Sequence, residues 1–124
     1  MLHTALSPAS AYRRIELDAQ VEGSDGGGLG RFCLEQAVMT LEKAIAADRR
    51  RDLAARADAL SRAAGLILAL RRGIAPDNPL RPALLTFLGA AAAEIGSAVA
   101  RFEEGRMRAL RDDLHDVLAA AHPH

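Results

Sequence analysis

Apolar residues recur at helical spacing through the last third of the chain. Most positions from Arg81 to Ala121 are apolar, and the polar residues 103–106 interrupt the pattern once. Steps of four and three residues keep side chains on one face of a helix with about 3.6 residues per turn. The first stripe is Leu84, Leu88, Ala91, Ile95, Ala98 and Phe102, and the second is Met107, Leu110, Leu114, Val117 and Ala121. The pattern predicts an antiparallel helical pair, against which the rest of the chain packs.

Two further helices are predicted upstream of this pair. The first runs from about Leu29 to Ala47, and the second follows a charged turn at residues 48–52 and ends at about Arg72, before Gly73. Asn78, followed by Pro79, is predicted to cap the third helix. The residues predicted to face inward are Phe32, Leu34, Ala37, Val38, Leu41, Ala44 and Ile45 in the first helix, and Leu53, Ala57, Leu60, Ala64, Ile67 and Leu70 in the second. The residues predicted to point outward in the second helix are Arg56, Asp58 and Arg62.

The first 28 residues differ from the rest because they contain a glycine-rich stretch. Ser7–Pro8 is typical of a helix start, and Ala9 to Leu17 is predicted to form a short helical segment that presents Tyr12 and Ile15 on one side. The glycines between residues 26 and 30 are expected to interrupt regular structure. Residues 1–124 are therefore predicted to form a single all-α domain. Within it, residues 1–28 are predicted to form a flexible N-terminal arm and hinge, and residues 29–121 an antiparallel up-down-up-down four-helix bundle.

Composition excludes some classes of partner. Half of the 124 residues are apolar, and the 16 acidic and 16 basic residues cancel, so no net field attracts nucleic acid or a membrane surface. The longest apolar run, from Ala83 to Ala93, is stopped by Glu94 and is shorter than the roughly 20 residues of a membrane span. Cys33, the single cysteine, forms no internal disulfide and is expected to be a small buried residue. A cytoplasmic location is predicted.

The sequence offers little catalytic chemistry. Asp112 and His115 have the spacing of a metal-binding pair, but the pair occurs once and lies off the apolar stripe, so no metal or cofactor site is predicted. His115 would be the carrier if the bundle were a histidine phosphotransfer module, although Asp116 follows it. Glu94 is expected at the edge of its stripe, paired with an arginine. The protein is predicted to be a binding protein and not an enzyme.

The order of features resembles the FliS family of flagellin export chaperones. The similar residues are the opening motif Ala11–Tyr12–Arg13–Arg14–Ile15, the helix from Leu34 to Ala44, the second helix with Ala54, Ala57, Ala64, Ile67 and Leu70, and Arg111–Asp112–Asp113–Leu114 near the end. The similarity covers about residues 11–118. Where the family often has Leu–Tyr pairs, this chain has Cys33–Leu34 and Phe87–Leu88, and it lacks the terminal tryptophan.

The resemblance implies a function in the cytosol. Such a chaperone covers the disordered C-terminal segment of flagellin, prevents premature polymerisation and keeps the subunit fit for export. Tyr12 and Ile15 are the implied partner-binding residues, acting as competitor or gate for the groove, although the residues alone allow Tyr12 simply to close one end of the core. The alternatives are a helical adaptor that self-associates as a homodimer, a FlaF-type flagellin regulator and the histidine phosphotransfer module.

Overall fold

Four helices account for most of the described chain. The computed structural model describes residues 26–120. The helices are α1 (Gly26–Arg49), α2 (Leu53–Arg72), α3 (Arg81–Ala100) and α4 (Glu104–Ala120), and no strand occurs between residues 26 and 120. The predicted all-α four-helix bundle is confirmed for these residues. The predicted N-terminal arm, with Ser7–Pro8, lies outside them.

A single aliphatic core joins all four helices. Both stripes that predicted the C-terminal helices are buried between Leu84 and Val117, except at Phe102, and Ile95 and Leu114 have no exposed surface. α1 contributes Leu34, Ala37, Val38, Leu41, Ala44 and Ile45, and α2 contributes Leu60, Ala63, Ile67 and Leu70. Burial of these apolar faces is the main force that holds the helices together.

The central pair of the bundle is α1 with α2, and not the C-terminal pair. α1 packs extensively against both α2 and α4, and α2 packs against α3, whereas α3 and α4 contact each other only slightly. The prediction that the rest of the chain packs around an α3–α4 pair is therefore wrong. A stripe on each of two consecutive helices indicates that both are buried on one side, but it does not specify which helices cover them.

Ion pairs between α1 and α4 fix their antiparallel register. Arg49 at the end of α1 is bonded to Glu104 at the start of α4, and the guanidinium of Arg111 lies 3.6 Å from the carboxylate of Glu42. As the residue number rises on α4 it falls on α1, as expected for antiparallel neighbours. The up-down-up-down order follows from this pairing and from the short connections.

The structure corrects the predicted start of the first helix. Gly26, Gly28 and Gly30 are helical, so the glycine-rich stretch does not interrupt regular structure over residues 26–30. Each glycine costs a helix only about 1 kcal/mol relative to alanine. We attribute the extension to tertiary packing of the following turns, where Cys33 and Leu34 are buried. Burial of Cys33 is as predicted.

The connections between helices also differ in detail from the prediction. Asp52 caps α2, with its Oδ1 atom accepting a hydrogen bond from the Ala55 backbone N at 3.1 Å. Asn78 was predicted to cap the third helix, but Leu80 holds the N-cap position. The Asn78 side chain instead accepts a hydrogen bond from Leu80 N at 2.8 Å, which stabilises the turn before the helix. Gly73 ends α2 as predicted.

Three side chains, those of Phe32, Leu53 and Arg56, face a different way from the prediction, whereas Phe102 packs against the core as predicted. Phe32 and Leu53 were predicted to face inward but are more than half exposed. Phe102 lies in the α3–α4 connection, and Arg56, predicted to point outward, stacks over its ring at 5.1 Å. Arg56 is drawn inward because it also donates a 2.8 Å hydrogen bond to the Asp48 carboxylate.

Candidate protein-binding surfaces

The two residues predicted to bind a partner lie outside the described chain. Tyr12 and Ile15 precede residue 26, so the structure does not test their role. The candidate surfaces are therefore those that the bundle itself presents. Two of them are apolar, and both involve residues that the sequence argument did not assign to a site.

The first candidate surface is the outward side of α3. This helix is described throughout, and none of its exposed residues carries a charge. We define the α3 surface by these residues: Pro82, Thr86, Ala90, Ala93, Gly96, Ser97, Val99 and Ala100. Surface helices of globular proteins normally have charged and polar residues opposite their buried stripe. An uncharged outward side is typical of a helix that meets a partner.

On the side toward α2, the α3 surface has small side chains, so the helix backbone is accessible there. A Cβ atom added at Gly96 would meet nothing within 4 Å, so this part of the helix backbone is open. A Cβ atom added at Gly89 would lie 3.6 Å from Nε of Arg71, which reaches across from α2. The glycine thus allows the guanidinium group to lie against the helix. Another helix can approach the backbone closely at such positions.

Charged residues lie on the side of α3 that faces α4, near the C-terminal end of α3. Glu94 lies 3.7 Å from the Arg106 guanidinium, as expected for an acid at the edge of the stripe that pairs with an arginine. Arg106 is also 3.7 Å from Glu103. A shallow depression beside these residues is lined by Ala93, Ser97 and Met107. This side therefore offers a partner a mixture of charged and small residues.

The second candidate surface is a stripe on the outward side of α1. Leu29, Phe32 and Met39 are 65%, 54% and 46% exposed, respectively. Their spacing of three and seven residues places them on one side of the helix. Lone exposed apolar residues are common, but three on one stripe form a surface that a second helix can cover.

Charged groups, in contrast, connect the opposite end of the bundle. Arg49 donates from Nε to Glu104 at 3.1 Å, and Arg108 binds the same carboxylate at 2.6 Å. The hydrogen bond from Arg49, followed by that from Arg108, lowers the pKa of Glu104 to about 2. The same carboxylate raises the pKa of Arg49. With both arginines satisfied, this cluster fastens α1 to α4 and leaves its carboxylate ionised at neutral pH.

The described residues include no arrangement typical of catalysis or of a metal site. His115 is exposed on α4, and the nearby Asp112 accepts hydrogen bonds from Arg111. No group of three metal-ligating side chains occurs within residues 26–120. The predictions that the protein is not an enzyme and holds no cofactor stay predictions.

α3 is also long and apolar enough to span a membrane by length and composition alone. The run from Ala83 to Ala93, which Glu94 ends, is too short to span a membrane, whereas the whole helix meets the length and composition because one acid is tolerated within it. The core helix of a soluble protein meets the same criterion. The finding adds to the evidence that the outward side of α3 is unusually apolar.

No family model, curated protein or solved structure matches the chain.

Proposed function

We propose that the protein is a cytosolic chaperone that binds the disordered C-terminal segment of flagellin. It would thereby prevent premature polymerisation and keep flagellin fit for export. The observation that supports this proposal best is the α3 surface, which is exposed along the whole helix and uncharged. The motif resemblance supplies the identity of the partner.

The affinity of a disordered segment for the bundle depends on how much apolar surface the two bury together. A segment that folds on binding loses conformational entropy, so it needs an extended apolar surface to compensate. A helix of 20 residues extends over about 30 Å, and α3 has this length. An apolar helical segment can therefore lie along α3 through several turns.

Tyr12 and Ile15 keep their proposed role as residues of the arm that compete with flagellin. We expect Tyr12→Ala to change flagellin affinity and to leave the melting temperature of the bundle nearly unchanged. A large loss of melting temperature with unchanged affinity would instead support a role in closing the core.

Calorimetric titration with a peptide from the C-terminal end of the same organism's flagellin tests the proposal. Saturable binding near one to one, with a negative heat-capacity change, is the expected result because apolar surface is buried. A folded sample that gives no heat and does not co-elute with the peptide would contradict it.

A second candidate function is that of a self-associating helical adaptor. The exposed α1 stripe of Leu29, Phe32 and Met39 favours this alternative because a second copy can cover it. Sedimentation at micromolar concentration separates the two functions. A stable dimer that Phe32→Glu dissociates would support the adaptor, whereas a monomer would support the chaperone.

A further inference from the structure

Arg71 lies across the interface of α2 with α3 and forms no ion pair with an acidic side chain of the described residues. Its guanidinium group rests on the backbone of Gly89, at 3.6 Å from the position of a Cβ atom. The Arg71 Nε atom is buried and has no hydrogen-bond partner. Arg56, at the other end of α2, differs because Asp48 pairs with its guanidinium.

Helical periodicity shows which residues share the side of each helix on which Arg71 and Gly89 meet. On α2 these are Ala64 and Leu68, seven and three residues before Arg71, and on α3 they are Ala92, Gly96 and Val99, which follow Gly89. We call this surface the α2–α3 groove, and its residues are Ala64, Leu68, Arg71, Gly89, Ala92, Gly96 and Val99.

The α2–α3 groove is apolar apart from this one cation. Leu68 and Val99 are 38% and 46% exposed, and Gly96 leaves the backbone open between them. No acidic residue is among the described residues of the groove. Glu94 lies on the other side of α3, where it pairs with Arg106. An arginine that borders an apolar groove and lacks an acid is complementary to a carboxylate supplied by a partner.

We infer that the α2–α3 groove binds an amphipathic helix whose apolar face is bordered by a carboxylate, and that Arg71 binds this carboxylate. The distance from Gly89 to Val99 along the helix is about 15 Å, which corresponds to nearly three turns of a partner helix. The small residues of the groove let the partner backbone approach, and Leu68 and Val99 contact its apolar side chains. The inference refines the proposed function by stating the chemistry of the bound segment.

The test compares Arg71→Gln with Arg72→Gln, its matched control. Arg72 is the next residue of α2, is exposed and has the same position relative to the helix dipole. Circular dichroism melting first establishes that both variants fold. With the flagellin peptide as probe, we expect Arg71→Gln to raise the Kd about tenfold and Arg72→Gln to change it less than twofold. Equal affinities of both variants and the unmodified protein would overturn the inference while leaving the chaperone proposal intact.

Designed peptides test the groove independently of flagellin. One amphipathic helix carries a single glutamate at the border of its apolar face, and two otherwise identical peptides carry glutamine or lysine there. We expect the glutamate peptide to bind the unmodified protein about tenfold more tightly than the glutamine peptide. In Arg71→Glu, the lysine peptide should become the tightest of the three.

The flagellin peptide and the designed peptides together distinguish failure of the chaperone proposal from failure of the groove inference. Binding of the glutamate peptide with no binding of flagellin would contradict the chaperone proposal and support the groove. If no peptide binds, or if binding is insensitive to Arg71, the inference is wrong. A change in sedimentation instead of peptide binding in Arg71→Gln would also overturn it, since the occupant would then be a second copy.

Discussion

α3 and α4 have the same kind of buried side and opposite kinds of outward side. Each helix buries one apolar stripe in the common core. The exposed residues of α3 include no charge, whereas α4 exposes Arg106, Arg108, Asp112, Asp113 and Asp116. The core requires only one face of each helix, so it cannot explain this difference. An outward side that folding does not constrain reflects solubility or function, and an uncharged one does not serve solubility.

The difference in packing supports the same interpretation. α4 is attached to α1 by a core contact and by ion pairs at Arg49–Glu104 and Glu42–Arg111, whereas α3 is attached mainly to α2 through apolar contact. Charged outward residues thus accompany the helix that has ion pairs to α1 in addition to its core contact. The outward side of α3 carries no exposed charged residue, and we propose that this side is the one that meets a partner.

The largest expected effect is a loss of stability when the core that α3 and α4 share is disrupted. Ile95→Ala in α3 and Leu114→Ala in α4 should each lower the free energy of unfolding by about 2–5 kcal/mol, because both side chains are fully buried. Urea denaturation followed by circular dichroism measures this loss. A much smaller loss for Ile95→Ala than for Leu114→Ala would mean that α3 is not part of the common core.

A new charge on the outward side should weaken peptide binding when it is placed on α3 but not when it is placed on α4. Ala93→Lys on α3 is expected to weaken binding of the flagellin peptide at least tenfold, because the bound apolar segment would bury an unpaired ammonium group. Ala109→Lys on α4 is the matched control, and its affinity should stay within twofold. Both unfolding free energies should change by no more than about 0.5 kcal/mol. Equal affinities for the two variants would contradict a binding role for the α3 surface.

Replacing glycines within the helices by alanine should have a smaller effect on stability. Gly96 lies in the interior of α3, and a Cβ atom added there meets nothing within 4 Å. Gly96→Ala should therefore raise the free energy of unfolding by about 0.5–1 kcal/mol. Gly105 is in the first turn of α4, where the intrinsic preference matters less, so Gly105→Ala should have a smaller effect. Thermal melting of the two variants measures this difference in stability. Equal increases in melting temperature would mean that the position of the glycine in its helix does not matter.

The smallest effect concerns the pH dependence of the α1–α4 attachment. Because hydrogen bonds from Arg49 and Arg108 lower the pKa of Glu104 to about 2, its contribution is present above the ordinary glutamate pKa. The contribution is lost as the pH falls from about 5 to about 2. The melting temperatures of the unmodified protein and Glu104→Gln should therefore differ most at neutral pH and converge in acid. A difference that does not depend on pH would mean that the carboxylate charge contributes little.

The sequence pattern predicted the buried side of the bundle well. The stripes from Leu84 to Ala98 and from Met107 to Val117 needed only the periodicity of a helix, and both are buried. The same rule gave Leu34, Leu41 and Ile67 correctly. Periodicity succeeds here because the aliphatic residues have no other way to leave water.

The errors concern residues whose position depends on neighbours distant in sequence. Arg56 turns inward because Asp48 and Phe102 come to the same end of the bundle, which no local pattern reveals. Phe32 is exposed because neither α2 nor α4 covers that side of α1. The Arg71 contact with Gly89 requires the α2–α3 register. The lack of exposed charge on α3 follows from its sequence once the buried stripe is known, because Arg81 and Glu94 are the only charged residues of this helix.

The slight contact between α3 and α4 also has a consequence for local unfolding. We therefore expect α3 to separate from α2 while α1 keeps its contacts with both α2 and α4, as a cooperative unit smaller than the whole domain. Backbone amides of α3 should then exchange with deuterium at a lower free energy of opening than those of α1. A partner bound along α3 would slow this exchange selectively, because opening the helix would require releasing the partner first.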